Sequence, residues 1–109
     1  MMNNNWRAIR MNIKIHSLHF DADKDLLDFV EERINKLSQY EDRILSTEVY
    51  LRLDKDPNSG NKVAEIKMII AGGKAFAKKQ CKSFEEAVDQ AVEALRRQLI
   101  KQKQKKIGR

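Results

Sequence analysis

Apolar and polar residues alternate along four stretches of this chain, and two longer stretches carry apolar residues at helical spacing. The alternation around Ile13 and Ile15 predicts a first strand with one buried face. Three more strands are predicted in the same way, over residues 47–54, 64–70 and 74–81. Thr47, Val49, Leu51 and Leu53 share one side of the second strand, and Ala64, Ile66, Met68 and Ile70 form the buried face of the third.

Two amphipathic helices are predicted, one after the first strand and one after the fourth. The first covers roughly residues 23–39, with Asp21 or Asp23 supplying an N-cap oxygen. The second begins with a capping box, in which Ser83 caps the helix and Glu86 reaches back. The apolar stripes are Leu26, Leu27, Val30, Ile34 and Leu37 in the first helix, and Phe84, Val88, Ala91, Val92, Leu95 and Leu99 in the second.

Turn-forming residues separate the last three strands. The segment DKDPNSGN, residues 54–61, is typical of a hairpin loop, and Gly72-Gly73 permits the positive φ angles of a tight turn. The order β-α-β-β-β-α predicts one α+β domain, with two helices on one face of a four-stranded antiparallel sheet. The other face of the sheet should stay partly exposed to solvent.

The charge of the chain is unevenly distributed. Its formal net charge is +6, yet residues 1–73 carry 11 Lys and Arg against 12 Asp and Glu, whereas residues 74–109 carry 11 against 4. A basic surface favours anionic partners such as nucleic acid or acidic membrane surfaces. We therefore expect any such partner to meet the last third of the chain.

The closing stretch ALRRQLIKQKQKKIGR, residues 94–109, contains seven Lys and Arg and no acidic residue. Two interpretations stay open: a solvated helix end in which Glu93 pairs with Arg97, or a surface that contacts phosphate. The lack of acidic residues favours phosphate contact, and charge repulsion should fray the unbound helix beyond about Lys103. The cations form two helical stripes beside the apolar seam, Arg97, Lys101 and Lys105 in one and Arg96 and Lys103 in the other.

A second group of cations comes just before the last helix. Its members either contact phosphate or serve only to keep the protein in solution. They are Lys74, Lys78, Lys79 and Lys82.

No motif indicates catalysis. Cys81 is the only cysteine, so no internal disulfide can form, and we expect its thiol to be buried or idle. His16 and His19 would face opposite sides of a strand, and no Cys or carboxylate constellation completes a zinc site. The chain also lacks a Walker-type phosphate loop, a Ser-His-Asp signature and an apolar run long enough to span a membrane. We expect no enzymatic activity, no metal or other cofactor, no small-molecule ligand and no membrane partner.

The first ten residues, MMNNNWRAIR, are rich in Asn and lack the apolar stretch of a signal peptide. We expect residues 1–10 to be a disordered leader or the product of a mis-assigned start codon. A short arm with Trp6 available to stack on a base or a partner is the alternative. One domain should then span residues 11–106, with a tail over residues 107–109.

Four segments carry a likeness to a known family: MNIKIHSLHF, FVEERINKLSQYEDRI, IIAGGKAFA and SFEEAVDQAVEALRRQLIKQKQK. Over about residues 11–106 the chain resembles the ribosome hibernation-promoting factors, also called ribosome-associated inhibitor A or sigma-54 modulation proteins. It implies an architecture like that of double-stranded-RNA-binding domains. It also implies binding to the small ribosomal subunit, in the channel for mRNA and tRNA, and inhibition of translation in stationary phase or starvation.

The resemblance further implies a cytoplasmic protein, monomeric off the ribosome, whose basic residues face ribosomal RNA. In this chain those residues are Arg96, Arg97, Lys101 and Lys103, with Lys78, Lys79 and Lys82 less directly matched. Three features depart from the family pattern. Ser83-Phe84 stands where many members have an acidic-aromatic pair, Tyr40-Glu41 replaces a common Tyr-Phe pair, and the fourth strand is unusually basic.

The chain also ends soon after the second helix, so we expect the short type of this family, without the second domain that pairs ribosomes. Two other functions compete with this interpretation. One is a generic protein that binds structured RNA. The other is an interaction module whose basic tail meets an acidic partner or a membrane.

Overall fold

The computed structural model of this protein describes residues 12–39, 41–55 and 60–107. The expectations for residues 1–10, for Tyr40 and for the tip of the hairpin loop lie outside the described residues. The elements follow in the predicted order: β1 (Ile13–Leu18), α1 (Lys24–Leu37), β2 (Ile44–Leu53), β3 (Lys62–Ile70), β4 (Gly73–Cys81) and α2 (Phe84–Ile107).

The four strands form one sheet in the order β1-β2-β3-β4. The antiparallel prediction is correct for β2 with β3 and for β3 with β4, but β1 runs parallel to β2. The sheet is therefore mixed. The reason is that α1 acts as a crossover, which returns the chain to the end of the sheet where β1 began.

Both helices contribute to a single core on one face of the sheet. The molecule is correspondingly thin, with extents of 45 × 38 × 16 Å. Leu53 does not share this burial, because it lies at the very end of β2 and is 46% exposed. Among the core residues are Val30 and Ile34 of α1, Val49 and Leu51 of β2, Ile66 and Met68 of β3, and Val88 and Leu95 of α2.

The N-cap residue predicted for each helix is confirmed, but among the described residues the return bond from the Glu86 side chain to Ser83 is not present. The Asp23 carboxylate accepts a hydrogen bond from the backbone N–H of Leu26 at 2.9 Å, and the Ser83 hydroxyl accepts one from Glu86 at 3.1 Å. The expected fraying of α2 beyond Lys103 is not observed, since the helix continues to Ile107. No helix-breaking residue occurs before Gly108, which explains this continuation.

Two glycines make the turns on either side of β3 possible. Gly72 has a φ of 89° in the turn before β4, whereas Gly73 already belongs to the strand. Gly60 has a φ of 87° and lies so close to β4 that a Cβ added there would be 2.4 Å from the backbone carbonyl carbon of Cys81. Gly60 thus satisfies both a left-handed conformation and a close approach of two backbones.

The helix α2 also covers the outer edge of β4. The Gln98 side chain accepts a hydrogen bond from the backbone N–H of Phe76 at 3.2 Å and donates one to its carbonyl at 2.7 Å. The Gln102 side chain donates to the carbonyl of Lys74 at 3.2 Å. We call this pair of side chains, Gln98 and Gln102, the amide clasp. It joins the C-terminal half of α2 to the first half of β4.

No helix in the described part of the chain is both long and apolar enough to cross a membrane.

Candidate nucleic-acid interface

The C-terminal half of α2 presents its cations beside a buried apolar stripe. Leu95 and Leu99 face the core, as the helical spacing predicts. Arg97, Lys101 and Lys103 are exposed, while Arg96 is partly buried. The side chain of Lys105, the remaining predicted cation of this stripe, lies outside the described residues.

Glu93 pairs with both arginines of α2. Its carboxylate accepts two hydrogen bonds from Arg96, at 2.9 and 3.2 Å, and lies 3.6 Å from Nε of Arg97. The hydrogen bond from Arg96 is the main cause that lowers the pKa of Glu93. The predicted pair of Glu93 with Arg97 exists, yet the closer contact is with Arg96. The Arg97 side chain stays 71% exposed and can turn toward an incoming anion.

A buried carboxylate lies beneath this basic half of α2. Glu41 is only 2% exposed and accepts hydrogen bonds from Arg43, at 2.9 Å from its backbone N–H and at 2.7 and 2.9 Å from its guanidinium. These hydrogen bonds, aided by the charge of Lys103, lower the pKa of Glu41. Glu41 lines a small cavity of about 20 Å³ together with Leu37, Arg96, Leu99, Ile100 and Lys103. Glu41, which stands where the family commonly has Phe, thus forms an ion pair with Arg43.

We expect Glu41→Gln to destabilise the fold by about 1.5–3 kcal/mol at pH 7, because it removes charge-assisted hydrogen bonds. Since folding lowers the pKa of Glu41, its contribution is fully present above pH 4.5, the ordinary value, and is lost as the pH falls through the lowered one. Chemical denaturation of both proteins at pH 7 and pH 3 tests this. The difference in the free energy of unfolding between wild type and variant should shrink at pH 3. A difference that is independent of pH would contradict the role given to the Glu41 carboxylate. Glu93 is present in both proteins, so its own titration cancels.

The lysines that precede α2 in the sequence lie at three different places in the structure. Lys74 and Lys78 lie on the open face of the sheet, the face opposite the helices, because they alternate with the buried Ala75 and Ala77. Lys79 is exposed on the other side of β4. Lys82 lies in the short connection before α2.

Lys74 has a backbone contact with the basic half of α2. The Gln102 side chain donates to its carbonyl, and Gln102 directly follows Lys101 in the sequence. Lys82 lies just before α2, roughly 20 Å along the helix from its basic half. Lys78 faces Glu65 at 3.9 Å, and Glu65 also pairs with Arg52 at 2.7 Å. The structure therefore ties the backbone of Lys74 to the basic half of α2 and leaves Lys82 at the other end of the helix.

The open face of the sheet holds aromatic groups to which the sequence pattern assigned no role in binding. His16 stacks on Tyr50 with ring centroids 4.7 Å apart, and both contact the Glu48 carboxylate. Phe76 is 49% exposed on β4. Alternation in β2 and β4 was the available signal, since it puts Tyr50 and Phe76 on the side opposite the buried residues.

The described residues contain no group of three or more His, Cys, Asp or Glu side chains that could hold a metal ion. Cys81 is buried, and this burial raises the pKa of its thiol. A raised pKa leaves the thiol protonated and weakly reactive at neutral pH.

Residues 13–107 match the family described as Sigma 54 modulation protein / S30EA ribosomal protein. The chain belongs to this family. It is 33% identical over 101 residues to a ribosome hibernation promoting factor of Azotobacter vinelandii, an alignment that covers 93% of this chain and 89% of the relative. A protein of the same description from Klebsiella oxytoca is 28% identical over 97 residues, covering 89% and 96% of the two chains.

Two solved structures that superpose on this fold have related descriptions. The N-terminal domain of Protein Y from Thermus thermophilus superposes with a TM-score of 0.69 at 28% identity, covering 81% of this chain and 94% of that one. A ribosomal subunit interface protein from Coxiella burnetii superposes with a TM-score of 0.77 at 19% identity, covering 85% and 98%. At this lower identity the likeness concerns the fold. The α+β arrangement of four strands and two helices is thus shared with both.

Proposed function

We propose that this protein is a ribosome hibernation factor. It binds the small ribosomal subunit in the channel for mRNA and tRNA and inhibits translation in stationary phase or starvation. The ribosome-binding domain comprises residues 11–106, the protein acts in the cytoplasm, and it is a monomer when not bound. The names of its relatives, which are ribosome hibernation promoting factors, support this assignment.

The observation that carries the proposal is the acid-free basic half of α2. Arg97, Lys101 and Lys103 are exposed there, and Lys74 adds a fourth cation beside the amide clasp. Phosphate groups of folded RNA are the anions that such a surface fits best, since several cations can be neutralised at once. Arg96 belongs to the same surface but is already bonded to Glu93.

The mechanism is steric and electrostatic and needs no catalytic step. The cations dock against phosphates of the RNA that lines the channel, and the folded domain then occupies the space that mRNA and tRNA would use. Because each phosphate contact releases condensed counterions, binding should weaken as the salt concentration rises. RNA of this kind is recognised mainly by shape and backbone contacts, so a rigid basic surface is sufficient.

Co-sedimentation with purified ribosomal subunits tests the proposal. The protein should pellet with the small subunit, and an excess of mRNA and initiator tRNA should displace it. Equal binding to an isolated RNA duplex of similar length would instead indicate a generic RNA-binding protein. Failure to pellet with either subunit, together with binding to acidic vesicles, would identify a basic tail for membranes and would contradict the proposal.

A further inference from the structure

We propose that Phe76, flanked by Lys67 and Lys74, stacks on an unpaired base of the bound RNA. The inference rests on the proposed function in one respect, namely that RNA is the partner. Phe76 is 49% exposed on the open face of the sheet, although most aromatic side chains of a small domain are used in its core. Its ring lines a shallow concavity of about 370 Å³, which also includes Lys67, Lys74, Ala75 and Gln98.

The charges around the ring fit a nucleotide. Lys67 lies directly opposite Phe76 in the register of β3 with β4, and Lys74 lies two residues before it on the same face. Both lysines are exposed, and neither forms an ion pair with any residue in the described part of the chain. An apolar ring between two available cations offers a base a stacking surface and offers its flanking phosphates a counter-charge.

The ring is also held in place before any partner binds. The amide clasp bonds both the N–H and the carbonyl of Phe76 on the outer edge of β4, and β3 pairs with β4 on the inner edge, so the backbone that carries the ring is fixed from both sides. A platform that is already ordered loses little conformational entropy when a base stacks on it.

The size of the apolar patch excludes a protein partner as the preferred occupant. Ile69, 39% exposed, is the apolar neighbour of Phe76 on this face, diagonally across the β3–β4 pair. Even with Leu45, 57% exposed at the same end of the sheet, these side chains provide less than the roughly 1,000 Å² that a stable protein interface needs. One base, however, is about the size of one aromatic ring. The patch is therefore matched to a single nucleotide.

The test measures binding of a fluorescein-labelled single-stranded RNA hexamer by anisotropy. Phe76→Ala should weaken binding about tenfold, in the range found when an aromatic platform is removed. Phe76→Trp should bind at least as tightly as the wild type. Leu53→Ala serves as the matched control, because Leu53 is similarly exposed but lies at the opposite end of the sheet, and it should have no effect.

A hexamer with abasic sites keeps the phosphates and removes the bases. The abasic hexamer should bind the wild type as weakly as the ordinary hexamer binds Phe76→Ala. The salt dependence of binding to the ordinary hexamer should be the same for Phe76→Ala as for the wild type. Unchanged hexamer affinity in Phe76→Ala, or equal binding of the abasic hexamer, overturns the inference. So does a change of the protein from dimer to monomer on Phe76→Ala, since the ring would then belong to a protein interface.

Ribosome pelleting of the same variants separates the two proposals. If the wild type pellets with the small subunit but the hexamer experiment shows no role for the ring, the stacking inference fails and the proposed function stands. If the wild type binds the hexamer through Phe76 but does not pellet, the proposed function fails instead.

Discussion

Replacing Arg97 and Lys101 by Glu together is expected to abolish association with the small ribosomal subunit while the domain stays folded. Both side chains are exposed on one stripe of α2, so the buried Leu95 and Leu99 beside them should keep their packing. Each phosphate contact that is lost also lowers the steepness of the salt dependence, by about 0.7–0.9 log units of affinity per log unit of salt. Pelleting with purified subunits at two salt concentrations, with circular dichroism of the variant, measures both effects.

A control variant with the same change in net charge tests whether the position of the replaced cations matters. Lys24→Glu with Lys55→Glu also replaces two lysine or arginine charges by two carboxylates, which lowers the formal net charge from +6 to +2 in both variants. Lys24 and Lys55 are exposed at the start of α1 and after β2, away from the basic half of α2. This control should still pellet. If the α2 variant pellets like the wild type with the same salt dependence, the basic half of α2 is a solvated helix end.

Gly60→Ala is expected to destabilise the fold by about 2–5 kcal/mol, the largest loss we expect from adding one methyl group. A left-handed conformation costs an L-residue roughly 1–2 kcal/mol, and Gly60 has a φ of 87°. The new Cβ would also lie 2.4 Å from the backbone of Cys81, so the loop must move away from β4 at a further cost of about 1–3 kcal/mol. Thermal unfolding should show a midpoint lower by at least about 8 °C.

Gly73→Ala provides the matched comparison for this variant. A Cβ at Gly73 would meet only the Gln102 side chain at 3.7 Å and the Ile70 side chain at 4.0 Å, both ordinary contacts. Its stability should therefore stay within about 0.5 kcal/mol of the wild type. Equal midpoints for the two variants would show that the loop at Gly60 adapts without strain.

The order and type of the elements could be predicted because apolar periodicity reports directly on burial. Val30 and Ile34, at helical spacing, are buried in α1, and Val49 and Leu51, at alternating positions, are buried in β2. The direction of β1 was predicted wrongly. Periodicity says which side of a strand is buried but nothing about its direction, whereas the helix between β1 and β2 does indicate a parallel pair. The likeness to double-stranded-RNA-binding domains stays a prediction.

The composition of the candidate site could be predicted only in part. The cations of α2 are visible as a charge pattern, and the cap at Ser83 as a short motif. The burial of Glu41 could not be predicted from the sequence pattern, because a carboxylate normally lies in solvent. Its hydrogen bonds with Arg43 become apparent only in the folded structure. Gln98 likewise looks like an ordinary surface residue of a helix until the edge of β4 is placed beside it.

The amide clasp has a consequence for the behaviour of the protein at high concentration. The outer edge of a sheet presents unpaired N–H and carbonyl groups, and a second chain can extend the sheet by pairing with them. At Phe76 both groups are already bonded to Gln98, and at Lys74 the carbonyl is bonded to Gln102. This half of the edge strand therefore offers little to a strand from a neighbouring molecule. The basic helix α2 is thus also the element that protects this half of β4 from pairing with a strand of a neighbouring molecule.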